Sequence, residues 1–265
     1  MKTLLKPLAL FALAFAIYGG CVPVADKAAD SVAPKAQAEI EGLELPVYDD
    51  TEDILTYTGY TSSYNHQTLV PNWVAYELTA EEANGTYKAE CPFSRDFAVK
   101  GRQASREDYS HSGWDKGHMA PKADMKWSEQ AFQESFFFPN ICPQNHVMNE
   151  YDWGTVEKKA RAMARRYGKV YIVCGPMFTT HEFGTIGSAK VAVPDAFFKA
   201  LLIPVDGTYQ AVAFVMPNKP ERHDTEYYAM SVDQLEAQLG RDLFWRLPDD
   251  VEEPVEAVFD WNFWK

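Results

Sequence analysis

Apolar side chains recur at helical spacing over one long stretch. From 149 to 167, Trp153, Val156, Ala160, Met163, Ala164 and Tyr167 fall three or four residues apart, which predicts a helix with one apolar face. Gly168 follows where a C-terminal cap belongs. Elsewhere the pattern is that of strands. Residues 73–78 alternate and are rich in β-formers, and Asn84-Gly85 reads as a hairpin turn with its return over 86–88. Further strands are predicted at 169–174, 199–203 and 209–216, the last two joined by a turn at Asp206-Gly207. Residues 93–105 read as a loop. A short helix is expected over 127–135 with Trp127, Ala131 and Phe132 inward, followed by core or strand at 136–138. Ser231 and Gln234 form a capping-box pattern for a helix that runs to Leu239 and ends at Gly240. Residues 249–260 are acidic and carry no motif, and no internal repeat is visible. The sum is an α+β fold, a mixed or antiparallel sheet with helices.

The 265 residues, 46% hydrophobic and 24% charged, suit an ordinary globular protein with a sizeable core. Its ends are not uniform. Residues 1–21 have the form of an export signal: Lys2 and Lys6, an apolar run from 8 to 17, then Tyr18-Gly19-Gly20-Cys21. The cysteine after two glycines resembles a bacterial lipoprotein processing site, which would make Cys21 a lipid anchor and place the protein outside the cytoplasm, in the periplasm or at the cell surface. Otherwise it would be secreted. Residues 22–46, rich in Ala, Pro, Asp, Glu and Lys, read as a flexible linker, leaving 47–265 as the folded domain. Net charge is −13, which opposes phosphate binding, yet it is unevenly spread. Residues 95–169 hold 13 Lys+Arg against 10 Asp+Glu, and the remainder holds 12 against 28.

That less acidic segment carries the chemistry. Asp115-Lys116-Gly117-His118 offers a carboxylate, a cation, a flexible glycine and an imidazole in sequence, with Pro121 close behind. Downstream stand Asn140-Ile141-Cys142-Pro143-Gln144, then Asn149, Trp153 and Glu157 at four-residue intervals. The order and spacing resemble the DNA/RNA non-specific endonucleases of the ββα-metal type, the group that includes endonuclease G. Their signature is Asp-Arg-Gly-His, Asn-x-x-Pro-Gln and Asn-x-x-x-Trp-x-x-x-Glu; Lys116 stands where they have arginine. Weaker similarities include Trp73-Val74-Ala75-Tyr76, Asp108-Tyr109, Cys174-Gly175-Pro176, Pro194 with Lys199, and Pro217-Asn218. The resemblance implies a ββα finger (a His-Me finger) built from the 115–118 strand and the helix with Asn149. It implies cleavage of both DNA and RNA.

Phosphodiester hydrolysis needs an activated water, neutralised phosphoryl oxygens and a stabilised leaving oxygen. His118 is the candidate general base, and Lys116 the candidate cation over the phosphate, a point charge in place of a planar fork, so activity is expected at a reduced rate. Asn149 is the candidate ligand for Mg²⁺ or Mn²⁺, a hard, neutral oxygen donor. Glu157 lies eight residues on, about 12 Å along a helix axis, so it should act from outside the ion's own ligands or position basic neighbours. Asn140 is expected to orient His118 or its loop, and Asp115 to fix that loop. Arg95 could replace an arginine that relatives carry just before Phe93. Lys158, Lys159, Arg161, Arg165 and Arg166 crowd the helix, and Arg161 and Arg165 are candidates to contact a phosphate backbone. His66, His146, His181 and His223 read as ordinary polar or core residues. With Cys21 lipidated, Cys91, Cys142 and Cys174 allow one disulfide in three alternative pairings; no C-x-x-C pair suggests zinc. The alternative from another class is a non-catalytic surface-binding lipoprotein on a degenerate nuclease scaffold.

Overall fold

The computed structural model describes residues 39–265. The segment expected to be an export signal, Cys21 and the first part of the expected linker lie outside the described residues. In chain order the strands are β1 (Asp53–Thr56), β2 (Thr61–Asn65), β3 (Val70–Thr79), β4 (Asp115–His118), β5 (Ile141–Gln144), β6 (Lys169–Met177), β7 (Thr185–Ile186), β8 (Val191–Ala192), β9 (Ala196–Val205), β10 (Thr208–Pro217) and β11 (Ala229–Met230). The helices are α1 (Arg106–Tyr109), α2 (Glu129–Glu134), α3 (Gly154–Tyr167), α4 (Val232–Leu239), α5 (Asp249–Glu256) and α6 (Trp261–Trp264). Seven strands make one sheet in the order β1-β2-β3-β6-β9-β10-β11, and every neighbour pair is antiparallel. β4 pairs with β5, and β7 with β8, as separate two-stranded ribbons.

Alternation along the central strands sends side chains into two cores. Val74, Ile172, Cys174, Leu201 and Phe214 face one side, where α3 lays Val156, Ala160, Met163 and Ala164. Trp73, Ala75, Val173, Phe198, Leu202 and Ala213 face the other, covered by Val232 and Leu235 of α4 with Leu243 and Phe244. Both faces are therefore dry, so β6 and β9 read as long apolar runs even though the sheet is antiparallel. Gly168 (φ 96°) ends α3, Gly240 (φ 61°) ends α4, and Asp206-Gly207 (φ 48° and 82°) turns β9 into β10. Ser231 and Gln234 close the expected capping box.

Three expectations change. Residues 39–46 are not linker: Leu43 is fully buried in the second core, Ile40 and Leu45 pack against it, and Glu39 pairs with Lys169. The apolar contacts are spaced too irregularly to show as periodicity. Asn84-Gly85 makes no hairpin. A 3₁₀ turn, Glu82–Asn84, ends β3, whose onward partner is β6, and the backbone of Lys126 and Trp127 presses on Gly85 so closely that a Cβ would lie 2.3 Å from the Trp127 nitrogen. The long helix begins as a π-helix, Met148–Trp153, before α3 takes over.

Candidate active site

β4 and β5 form a tight ribbon with His118 opposite Ile141, Gly117 opposite Cys142 and Asp115 opposite Gln144. Gly117 is required by packing: a Cβ there would sit 1.8 Å from Gln144 Oε1. After β5, Asn218 stitches the ribbon to the end of β10. Its Oδ1 accepts from Asn145 N (2.7 Å), and its Nδ2 donates to the Pro143 and Pro194 carbonyls (3.1 and 2.8 Å). The chain then enters the π-helix. The Gly154 N–H reaches back five residues to the Asn149 carbonyl. Such wide turns occur often at functional sites, because they re-aim a side chain without breaking the helix.

Asn149, on the π-helix, is tied to the strand that carries His118. Asn149 Nδ2 donates to Asp115 Oδ2 at 3.0 Å, at the start of β4, and His118 closes the strand. With Nδ2 so committed, Oδ1 is the amide's remaining acceptor. His146 Nδ1 shares the same Asp115 oxygen at 2.9 Å and its Nε2 lies 3.2 Å from Glu150. The bond to Asp115 raises the His146 pKa. Asp115 is thus the orienting carboxylate for the amide.

His118 lies between two aromatic rings, Phe93 at 5.3 Å and Phe136 at 5.2 Å edge-on. Its Nε2 is enclosed and has no hydrogen-bond partner. Burial, with Lys122 nearby, pushes the imidazole down to about 3, which keeps it neutral and able to accept a proton. Lys116 projects from the same face of β4. Its Nζ lies 5.5 Å from the Phe93 ring and 5.7 Å from the buried Tyr109 ring. A depression of about 490 Å³ adjoins Phe136 and is bordered by Lys122, Cys91 and Pro92.

Asn140 is buried and holds the segment after His118. Its Oδ1 accepts from Ala120 N and its Nδ2 donates to the Ala120 and Ser135 carbonyls, all at 2.8 Å. It therefore fixes the loop and not the imidazole. Beneath lies a charged interior that spacing alone does not reveal. Buried Lys199 donates to the Met119 carbonyl at 3.4 Å and sits 4.4 Å from the Trp153 ring. Buried Asp124 receives Arg161 Nη1 at 2.5 Å and the Tyr76 hydroxyl at 2.8 Å. Glu157 borders this group. Burial pushes it up to about 7, with Lys199 and Arg161 opposing and Asp124 adding to the shift. Lys199 and Asn218 did stand in the weaker sequence similarities, but only the fold gives them a place.

The basic helix face is mostly spent on the protein itself. Arg161 serves Asp124, Arg165 binds the Ala83 carbonyl and Asn84 Oδ1, and Lys159 caps the Trp264 carbonyl at 2.9 Å while lying over Trp261. Arg161 and Arg165 thus tie the helix to neighbouring elements. Arg95 is exposed, its Nε 3.4 Å from the Ala104 carbonyl. Cys91, Cys142 and Cys174 are all free thiols.

The donor set fits a hard divalent cation. One amide oxygen, held by Asp115 beside an open surface, suits an ion that keeps most of its water shell, as Mg²⁺ does.

A family model described as DNA/RNA non-specific endonuclease matches residues 37–250. The chain is 33% identical over 242 residues to Nuclease EXOG, mitochondrial, of Xenopus laevis, covering 85% of this chain and 68% of that protein. It is 30% identical over 235 residues to Endonuclease G, mitochondrial, of Bos taurus, covering 83% and 79%. The fold superposes on a solved chain of the EndoG/EndoGI complex with a TM-score of 0.72 at 25% identity, over 78% of this chain and 90% of that one.

Proposed function

Since this chain belongs to the DNA/RNA non-specific endonuclease family, we propose that its ββα site hydrolyses phosphodiester bonds in DNA and RNA with Mg²⁺, or Mn²⁺, as cofactor. The observation that carries the reading is the unpartnered Nε2 of His118 on the strand whose Asp115 also holds Asn149.

His118, kept neutral at pH 7 by its lowered pKa, takes a proton from the attacking water. Lys116, steadied by Phe93 and Tyr109, faces the phosphoryl oxygens as a point charge. Asn149 Oδ1 would hold the cation, which would supply neutralisation of charge on the phosphoryl and leaving oxygens. Asp115 positions that ligand. Asn140 positions the loop after His118. Glu157 on α3, within the field of Lys199, Arg161 and Asp124, positions its basic neighbours. Little sequence preference is part of the same proposal, since among the described residues the site carries no base-reading element. Export with a lipid anchor at Cys21 is the matching proposal for location, drawn from residues 1–21.

Purified protein incubated with plasmid and with RNA, in Mg²⁺ or in chelator, tests the chemistry. Cleavage that needs the metal and falls at least a hundredfold in His118→Ala is the expected result. A folded wild type that binds but never cuts would replace the enzyme with the surface-binding alternative. Release of the protein from membranes by Cys21→Ser tests the anchor; a Cys21→Ser protein that stays membrane-bound removes it.

A further inference from the structure

On the sheet face opposite α3, helices α4 and α5 bring six carboxylates to one groove of about 670 Å³. Asp233 and Glu236 come from α4, Glu252, Glu253 and Glu256 from α5, and Asp242 from the loop between them. One oxygen from each of Asp233, Glu236 and Glu256 lies within 4.8 Å of the others. Ligands bound to a calcium ion at roughly 2.3–2.6 Å can be no more than about 5 Å apart, so this spacing lets three oxygens share one ion.

Acidic residues on a helix surface are ordinary, but Glu256 is not at the surface. It is 3% exposed, and its Oε1 is enclosed with no hydrogen-bond partner. Among the described residues, no Lys, Arg or His forms an ion pair with any of the six. Glu236 has one backbone partner, accepting from Leu243 N at 2.6 Å. A buried carboxylate with neither donor nor counter-charge is costly, and sequestering several together adds repulsion. The groove therefore needs either a proton or a cation.

We propose that Asp233, Glu236 and Glu256 form a binding site for a hard divalent cation of the calcium class, separate from the nuclease centre, which pins α5 to α4. Glu252 and Asp242 line the same groove and supply further oxygens or hold water on the ion. Oxygen-only donors, unequal reach and an open side match the six to eight ligands calcium accepts, and no nitrogen or sulfur donor is present to favour zinc. Burial and the neighbouring acids push Glu256 up to about 9, so without an ion that group keeps its proton.

Full-length protein, alone and as Asn149→Ala to disable the catalytic ligand, would be titrated with Ca²⁺ by calorimetry and followed by thermal unfolding at pH 7.5. One Ca²⁺ bound per chain in Asn149→Ala, with a Tm rise of several degrees reversed by chelator, is expected. Asp233→Asn and Glu256→Gln in that background should each weaken binding tenfold or more. Asp233 is exposed, so its variant stays informative if Glu256→Gln does not fold. Calcium binding and Tm rise unchanged in Asp233→Asn would overturn the assignment. So would no calcium response in Asn149→Ala together with a Tm that rises on acidification, which would give Glu256 a retained proton instead.

Discussion

Arg161 is the residue at which the spacing and the fold disagree most, and Arg161→Met separates them. Spacing places it on a basic face fit to follow a phosphate backbone; the fold gives its guanidinium to Asp124, a fully buried carboxylate. Removing the arginine leaves that carboxylate with the Tyr76 hydroxyl and the more distant Lys199 ammonium. Breaking a buried pair from one side costs about 3–5 kcal/mol. For a domain of this size each kcal/mol moves Tm by about 2–4 °C, so the expected loss is roughly 6–20 °C. Adding Asp124→Asn removes the stranded charge and should restore stability to within about 2 kcal/mol of wild type. Urea denaturation with an unchanged slope reads the stability change, and cleavage kinetics at a temperature where all variants are folded read KM. The KM should stay within about twofold of wild type, and its salt dependence should not flatten. A raised KM, a shallower salt dependence and an unchanged Tm in Arg161→Met would refute the structural assignment and return this arginine to the substrate.

Three further outcomes follow from the geometry. Phe93→Ser admits water to His118, so the acid limb of kcat/KM should move up from well below neutrality toward the ordinary histidine value near 6.5; an unmoved limb would detach that limb from His118. Gly117→Ala should cost about 1–3 kcal/mol and most of the activity, because its Cβ meets Gln144, and adding Gln144→Ala should recover stability; failure to recover would mean the strand needs glycine's backbone freedom instead. Burial alone would raise Asp195, but four backbone N–H groups, from Thr179, Thr180, His181 and Glu182, bond its carboxylate and hold its pKa below the usual range. Its folded pKa being lower than its unfolded one, its stabilisation is present above about pH 4 and is lost as pH falls further. Asp195→Asn should therefore lower stability at pH 7 by roughly 2 kcal/mol and flatten the acid side of the stability–pH curve; the same acid slope as wild type would remove this residue from the account.

Local sequence carried those features whose causes are local. The three-and-four spacing from Val156 to Tyr167 made α3, Ser231 with Gln234 made its own cap, and Asp206-Gly207 bent where left-handed backbone was needed. The order of Asp115, Lys116, Gly117, His118, Asn140 and Asn149 was enough to point to the family. Partnership was another matter. Arg161 meets an aspartate 37 positions away, Gly85 is pressed by the backbone of Trp127, and Leu43 is buried against sheet strands far along the chain. The π turn through Asn149 left the apolar spacing downstream intact, so periodicity could not register it. A chain's own pattern states what each segment prefers. Which charge is spent inside, and which is left for a ligand, depends on what distant segments bring to it once water has been expelled.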